Sequence, residues 1–215
     1  MLYKTLFIDL DETVYPSSTG LWEAIRQRID LFLHEKMHFS WEEIPATRQY
    51  LYSNYGTTLR GLKALYHIDE NFYLDFVHDI PLQNYLKPDP ELRRVLKSYP
   101  QRKFIFTNAD ANHAKRVLEA LQISDCFEDI IDIHTITPYC KPMPEAYHIA
   151  LKYSGEDDAA KCVLIDDTVG NLATARESGF FTIRVGSDEP SKEYHQGIKS
   201  LIDLPLALKP HPLFQ

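Results

Sequence analysis

Asp9, Asp11 and Glu12 stand together at the end of the apolar run Leu6-Phe7-Ile8. Like charges at that spacing repel, and burying them costs more still. Either they form a solvated acidic turn or something positive belongs among them. Further on, "FTN" brings Thr107 and Asn108 to the end of a second apolar run. Lys141 follows a third run, and "CVLIDD" ends on Asp166 and Asp167, with Asn171 one helical turn later. Carboxylates, a hydroxyl and a lysine suit displacement at a phosphate, where a carboxylate can act as a covalent nucleophile. Its attack on a dianion meets repulsion of about 4 kcal/mol per pair of unit charges, at an effective dielectric of ~20 and ~4 Å. One lysine cannot offset two aspartates and a dianion. A hard divalent cation with oxygen ligands can, and Mg²⁺ commonly uses one or two carboxylates, waters and a phosphate oxygen.

This chemistry assigns roles. Asp9 is the candidate nucleophile, and Asp9 and Asp166 are the candidate side-chain ligands. Lys141 and the Thr107 hydroxyl would hold the transferring phosphoryl oxygens. Asp11 stands where the leaving oxygen needs a proton and where an attacking water later gives one up. Asp11, Asp167 and Asn171 complete the candidate metal set, the last two through its water or outer ligands. Each residue also has a plainer reading. Thr107 could bond only to backbone, Lys141 could be a solvated loop lysine, Asp167 could cap the following helix, and Asn171 could be a surface residue. Glu12 receives no role.

The elements that must position these groups follow from apolar periodicity. Thr5 to Leu10, Arg102 to Asn108, Asp129 to Thr135, Cys162 to Asp166 and Phe181 to Gly186 read as strands. Helices alternate with them. One places Ala114, Val117, Leu118 and Leu121 on one face, one ends near Gly155, and one ends just before Gly179. Asp89 and Pro90 read as an N-cap and first helical residue. The alternation predicts a doubly wound α/β fold with a parallel sheet, whose ligand site lies beyond the carboxyl ends of the strands. Residues 14–87 do not alternate. Leu21, Ile25, Ile29 and Phe32, then Leu59, Leu62 and Leu65, then Phe72 and Phe76, recur at helical spacing. The expected organisation is a core of residues 1–13 and 88–215 with an all-helical insertion at 14–87. The stretch "SLIDLPLAL" in the tail reads as a short edge strand and a helical turn.

Composition narrows the setting. With 215 residues, 44% hydrophobic and 25% charged, the chain suits one sizeable core with a small insertion. A formal net charge of -8 leaves no basic footprint for nucleic acid or an anionic membrane. Cys126, Cys140 and Cys162 form no CxxC pair. No signal-peptide pattern opens the sequence. A reducing, cytoplasmic location is the expectation. The histidines show no metal-binding spacing, and Cys140 has no base nearby in sequence.

Four stretches, "DLDET", "FTN", "KPMPEAY" and "IDDTVGN", taken in order, resemble the motifs of the haloacid dehalogenase superfamily of phosphatases. The resemblance covers essentially the whole core, and the helical insertion resembles that superfamily's type 1 cap. "DETVYPSSTGLW", "YGTTLRGL", "IPLQNYLKPDPELR" and "FTNADANHAKRVL" look like its pyrimidine 5′-nucleotidase branch. That likeness implies a Mg²⁺-dependent phosphomonoesterase acting on pyrimidine nucleoside monophosphates such as UMP and CMP, as monomer or homodimer. In that fold the cap closes over the leaving group, which makes Ser17, Ser18, Tyr55 and Arg60 candidate substrate contacts, with Asn108 at the strand end. The plainer reading has Tyr50, Tyr52, Tyr55 and Tyr66 packing a small bundle and Arg60 in an ion pair. A sugar-phosphate or phosphoglycolate phosphatase is the alternative. A 2-haloacid dehalogenase fits less well, because expelling halide needs neither a metal nor the acid that Asp11 supplies. A non-catalytic phosphate-binding module leaves the clustered carboxylates without a reason.

Overall fold

The central strands, Thr5–Ile8 and Cys162–Asp166, are short and buried along their whole length, as a parallel sheet covered by helices requires. A computed structural model of the chain describes residues 3–209. In chain order, β1 (Thr5–Ile8) leads through a turn into four helices, α1 (Leu21–Glu35), α2 (Ile44–Tyr55), α3 (Thr58–Tyr66) and α4 (Glu70–His78). Then come α5 (Pro90–Lys97), β2 (Arg102–Phe106), α6 (Ala111–Leu121), β3 (Asp129–Ile131), α7 (Pro144–Ser154) and β4 (Cys162–Asp166). The chain continues through α8 (Val169–Glu177), β5 (Phe181–Val185), β6 (Gln196–Ile198) and α9 (Leu204–Ala207).

The strands form a six-stranded sheet in the order β3-β2-β1-β4-β5-β6, with every neighbouring pair parallel. The order reverses between β1 and β4, and such a switch point opens a crevice at the carboxyl ends of the strands. Register there is tight. Ile8 pairs with Ile165, so Asp9 and Asp166 leave the sheet side by side, and the Asp9 amide donates to the Ile165 carbonyl at 2.9 Å. Leu6, Phe7, Ile8, Phe104, Ile105, Phe106 and the Val163–Ile165 run are buried and anchor these ends.

The chain divides into two compact units. One holds the sheet and comprises the chain up to Thr19 and again from Leu86; the other is Gly20–Tyr85. The expected insertion began six residues earlier in the sequence, at Val14. Val14 and Tyr15 are instead buried with the sheet unit. Among the described residues the second unit is helical throughout. Leu21, Ile25, Ile29 and Phe32 form the buried stripe of α1, and Thr57 and Asp69 cap α3 and α4. Two stripes differ from expectation. Leu65, in the last turn of α3, is exposed. In α4 the buried face is Tyr73, Leu74 and Val77, while Phe72 is exposed and lies against Phe32 from the side. Adjacent stripes share the same spacing, so periodicity alone does not choose between them.

Strand boundaries also move: β1, β2 and β5 end one or two residues earlier than expected, and β3 and the tail strand differ more. β3 stops at Ile131 because Asp132 turns its carboxylate on the backbone. It accepts from the amides of Ala111 (3.0 Å) and Thr135 (2.9 Å) and from the Thr135 hydroxyl (2.7 Å). This local bonding competes with the ladder. The tail's edge strand is Gln196–Ile198, and the segment after it is helical, entered through a capping box at Ser200 and Asp203. The helix signals hold. Asp89 caps α5 through the Leu92 amide, Pro90 is its first residue, and Gly155 and Gly179 take positive φ at helix ends.

Candidate active site

Asp9 is the residue after β1, and Asp166 is the last residue of β4. The buried Lys141 bridges them. Its Nζ donates to Asp9 Oδ1 and to Asp166 Oδ2, each at 2.7 Å. Lysine is brought there by Asn108. The Asn108 amide accepts from the Lys141 N–H and donates to the Lys141 carbonyl, both at 2.9 Å. Asn108, expected at the substrate, thus clamps the lysine's backbone.

Asp166 is fully buried and crowded with donors. The Thr168 amide reaches its Oδ1 at 2.8 Å, and the Asn171 amide reaches both oxygens at 3.0 and 3.1 Å. Asn171 sits in the first turn of α8, and its carbonyl accepts from the Tyr147 hydroxyl at 2.9 Å. Asp167 does not cap that helix. Thr168 occupies the cap position without a side-chain bond to the helix, its hydroxyl donating instead to Asp167 Oδ1 at 3.4 Å. Thr107, just past β2, accepts the Ala109 amide on its hydroxyl oxygen at 3.0 Å, which leaves the hydroxyl hydrogen to donate.

The carboxylates of Asp9, Asp166 and Asp167 lie within 4.8 Å of one another. Burial pushes the Asp9 carboxyl well above its usual range, and Asp166 and Asp167 push further, against the pull of Lys141. Burial and then Asp166 push Asp167 up to about 6. Burial pulls the Lys141 ammonium down, but the charges of Asp166 and Asp9 outweigh it and hold it above its ordinary value. Three carboxyl groups thus crowd one lysine in a largely buried cluster, and with all three ionised the set is two charges short of balance. The donor set is all oxygen, and the charge deficit equals that of one hard divalent cation, so these residues fit Mg²⁺.

Asp11 lies outside that cluster. Its Oδ1 accepts from the Tyr15 hydroxyl at 2.5 Å and sits 3.1 Å from His113 Nε2. Burial, then the charge of Asp11, raises the Tyr15 phenol well above its ordinary value and keeps it a donor. Sequence reasoning passed over both partners. Tyr15 lies in "DETVYPSSTGLW", which carries the resemblance but gave this residue no role, and His113, 102 residues from Asp11, reads in sequence as an ordinary helix-start histidine.

The remaining expected substrate contacts are Ser17, Ser18, Tyr55 and Arg60. Ser17 and Ser18 are exposed in a 3-10 turn. Tyr55 and Arg60 belong to the helical unit, half-buried, where Arg60 Nη1 donates to the Tyr55 carbonyl at 2.8 Å. Cys126, Cys140 and Cys162 are buried thiols outside any disulfide. Among the described residues no helix is long and apolar enough to cross a membrane.

A doubly wound sheet with a carboxylate–lysine–carboxylate bridge at its switch point defines a hydrolase of the haloacid dehalogenase type. The chain belongs to the haloacid dehalogenase-like hydrolase family, whose model matches residues 3–179. It is similar to Phosphate metabolism protein 8 of Saccharomyces cerevisiae (strain ATCC 204508 / S288c), at 29% identity over 95% of this chain and 72% of that protein. Its fold matches the magnesium-bound HAD-hydrolase YfnB of Bacillus subtilis with TM-score 0.67 and 17% identity, over 97% of this chain and 99% of that one. It also matches L-2-haloacid dehalogenase of Xanthobacter autotrophicus, with TM-score 0.61 and 16% identity, over 96% and 98%. At such identities the structural likeness speaks to the fold, and the chemistry must be argued from the site.

Proposed function

We propose that the protein is a Mg²⁺-dependent phosphomonoesterase that uses Asp9 as nucleophile and takes pyrimidine nucleoside 5′-monophosphates. The observation that carries this reading is the buried Asp9–Asp166–Asp167 cluster bridged by Lys141. Asp9, Asp166 and Asp167 would hold the ion, with Asn171 fixing Asp166. When bound, the ion offsets the carboxylate charge and draws electron density from the phosphoryl oxygens. Asp9 forms a bond to phosphorus while the ester P–O bond breaks. The electron pair of that bond goes to the leaving oxygen, which takes the proton of Asp11. Lys141 and the Thr107 hydroxyl hold the phosphoryl oxygens. Asp11 then takes a proton from water as the water oxygen joins phosphorus, and the Asp9 carboxylate leaves with its electrons.

Asp11 favours this reading over dehalogenation, since a halide leaves without a proton. The likeness to a yeast protein named for phosphate metabolism supports a phosphorylated substrate. Tyr55 and Arg60 remain the proposed contacts to the leaving group, and Ser17 and Ser18 lie on the segment that leads toward the helical unit.

The test is a screen of nucleoside monophosphates against sugar phosphates and phosphoglycolate, with Mg²⁺ and with EDTA. We expect UMP and CMP to lead, with activity lost in EDTA and restored by Mg²⁺. A sugar phosphate in first place would refute the nucleotidase reading and leave the phosphatase. Full activity in EDTA would remove the metal.

A further inference from the structure

Tyr147 is fully buried in α7, the helix that follows Lys141. Its ring stands edge-on to Phe106, with centroids 5.5 Å apart, and edge-on to Phe180 at 6.1 Å. The Lys141 ammonium lies 5.1 Å from the centre of that same Phe106 ring. Packing accounts for the ring but not for where the hydroxyl goes. It donates to the Asn171 carbonyl at 2.9 Å. Asn171 lies within α8, where the amide four residues on already serves each interior carbonyl. The helix therefore does not need this bond. A buried phenol needs some acceptor, and this one takes the main chain of the residue whose amide grips both oxygens of Asp166, at 3.0 and 3.1 Å. The entry to α8 supplies a second donor to the same carboxylate, the Thr168 amide on Oδ1 at 2.8 Å. The set of that turn thus decides how Asp166 stands toward Asp9 and Asp167. Leu172 and Ala175 bury the helix against its surroundings, but apolar contact is non-directional, whereas a hydrogen bond fixes an angle.

We propose that Tyr147 is a positioning residue for the metal site: its hydroxyl sets the turn that carries Asn171, and through the Asn171 amide it orients the Asp166 carboxylate that would hold Mg²⁺. This rests on the Mg²⁺ reading above and extends it to a core residue one step behind the carboxylates. The terminal torsion of an aspartate is broad, so a carboxylate without fixed donors must be ordered when the ion arrives, and that ordering is taken out of the affinity. Outer partners that orient metal ligands typically cost roughly 10–100-fold in metal affinity when they are lost. Tyr147 acts through Asn171, so its loss belongs at the low end of that range. The same ring also braces Phe106 beneath Lys141, which places one side chain of α7 behind both the lysine and the Asp166 clamp.

The test titrates MgCl₂ into the metal-free full chain by calorimetry, with no substrate present. Tyr147→Phe keeps the ring and removes only the hydroxyl. Its Kd for Mg²⁺ should rise roughly tenfold. Asn171→Ala should raise Kd at least as much. With both changes made, Tyr147→Phe should add less than about twofold, because no amide remains for it to aim; groups that act as one unit are non-additive in this way. An unchanged Kd in Tyr147→Phe, with or without a lower metal-free thermal midpoint, would overturn the proposal and leave a phenol that merely satisfies itself in the core. A tenfold loss that persists in full beside Asn171→Ala would also overturn it, since the effect would then bypass Asn171. If Tyr147→Phe unfolds at the titration temperature, sucrose, which favours the compact state, is added to every protein compared. A wild type that binds no Mg²⁺ overturns the metal reading together with this one, whereas a wild type that binds it beside an equally tight Tyr147→Phe overturns this one alone.

Discussion

The two units hold their polar groups in opposite ways. In the sheet unit, charge is buried at strand ends and held by named partners from distant parts of the chain; Lys141 bonds Asp9, 132 residues away in sequence, and Asp166. In the helical unit, Tyr55 and Arg60 are half-buried, and the bond between them spans five residues. That unit also exposes Trp41, Tyr50, Tyr52, Leu65, Tyr66 and Phe72. The contrast teaches how far each region can be read. Buried carboxylates crowded against one lysine have no stabilising purpose, because such groups cost more in desolvation than their attraction returns. Their arrangement is explained by chemistry. A half-buried arginine on a neighbouring carbonyl carries no such signature.

The largest way to break the contrast is at Lys141. Lys141→Met should leave Asp9 and Asp166 buried without their shared cation, at a cost of about 3–5 kcal/mol, read as a lower thermal midpoint in metal-free protein. Activity on para-nitrophenyl phosphate should fall by roughly a hundredfold or more. A variant with wild-type stability and turnover would show the bridge to be incidental.

A middle effect is expected at Asp167. Its folded carboxyl is raised from 3.8 to about 6. A raised acid contributes stability below the unfolded value and loses it as pH climbs through the folded one. Metal-free Asp167→Asn should therefore match wild type near about pH 4 and melt higher than it near about pH 7. Added Mg²⁺ should close the gap by stabilising only the wild type. Identical pH profiles for the two proteins would contradict the crowded-carboxylate account.

The smallest effect is expected in the helical unit. Arg60→Ala removes the hydrogen bond to the Tyr55 carbonyl, a loss worth about 1.5 kcal/mol or less. It should raise KM for the preferred nucleotide while sparing para-nitrophenyl phosphate. Loss of both activities to the extent seen for Lys141→Met would erase the distinction between the units.

The same contrast governs what the sequence disclosed. Asp9 and Asp166 could be placed side by side because strand periodicity marks where each strand ends and a parallel sheet brings those ends to one edge, whereas Lys141 stands ten residues beyond β3. The adjoining roles of Asn108 and Asn171 were not legible. Each amide is aimed by a loop or helix start, and the lysine clamp and the Asp166 clamp exist only once the sheet has assembled. His113 was invisible for the same reason. Its partner lies on another strand's exit, and an ordinary helix-start histidine looks no different. In the helical unit, periodicity disclosed helices but not which of two adjacent stripes on α4 turns inward. Strand lengths erred where Asp132 offered the backbone a better partner than the ladder.

The central claim is that Asp9 carries the phosphoryl group. Full-length protein with Mg²⁺ and para-nitrophenyl phosphate can be quenched in acid during turnover, digested, and mapped by mass spectrometry. A phosphoryl group on the peptide that contains Asp9, absent from Asp9→Asn, which should also be inactive, is the predicted result. Normal turnover by Asp9→Asn, or a phosphoryl group trapped on any other residue, would contradict it.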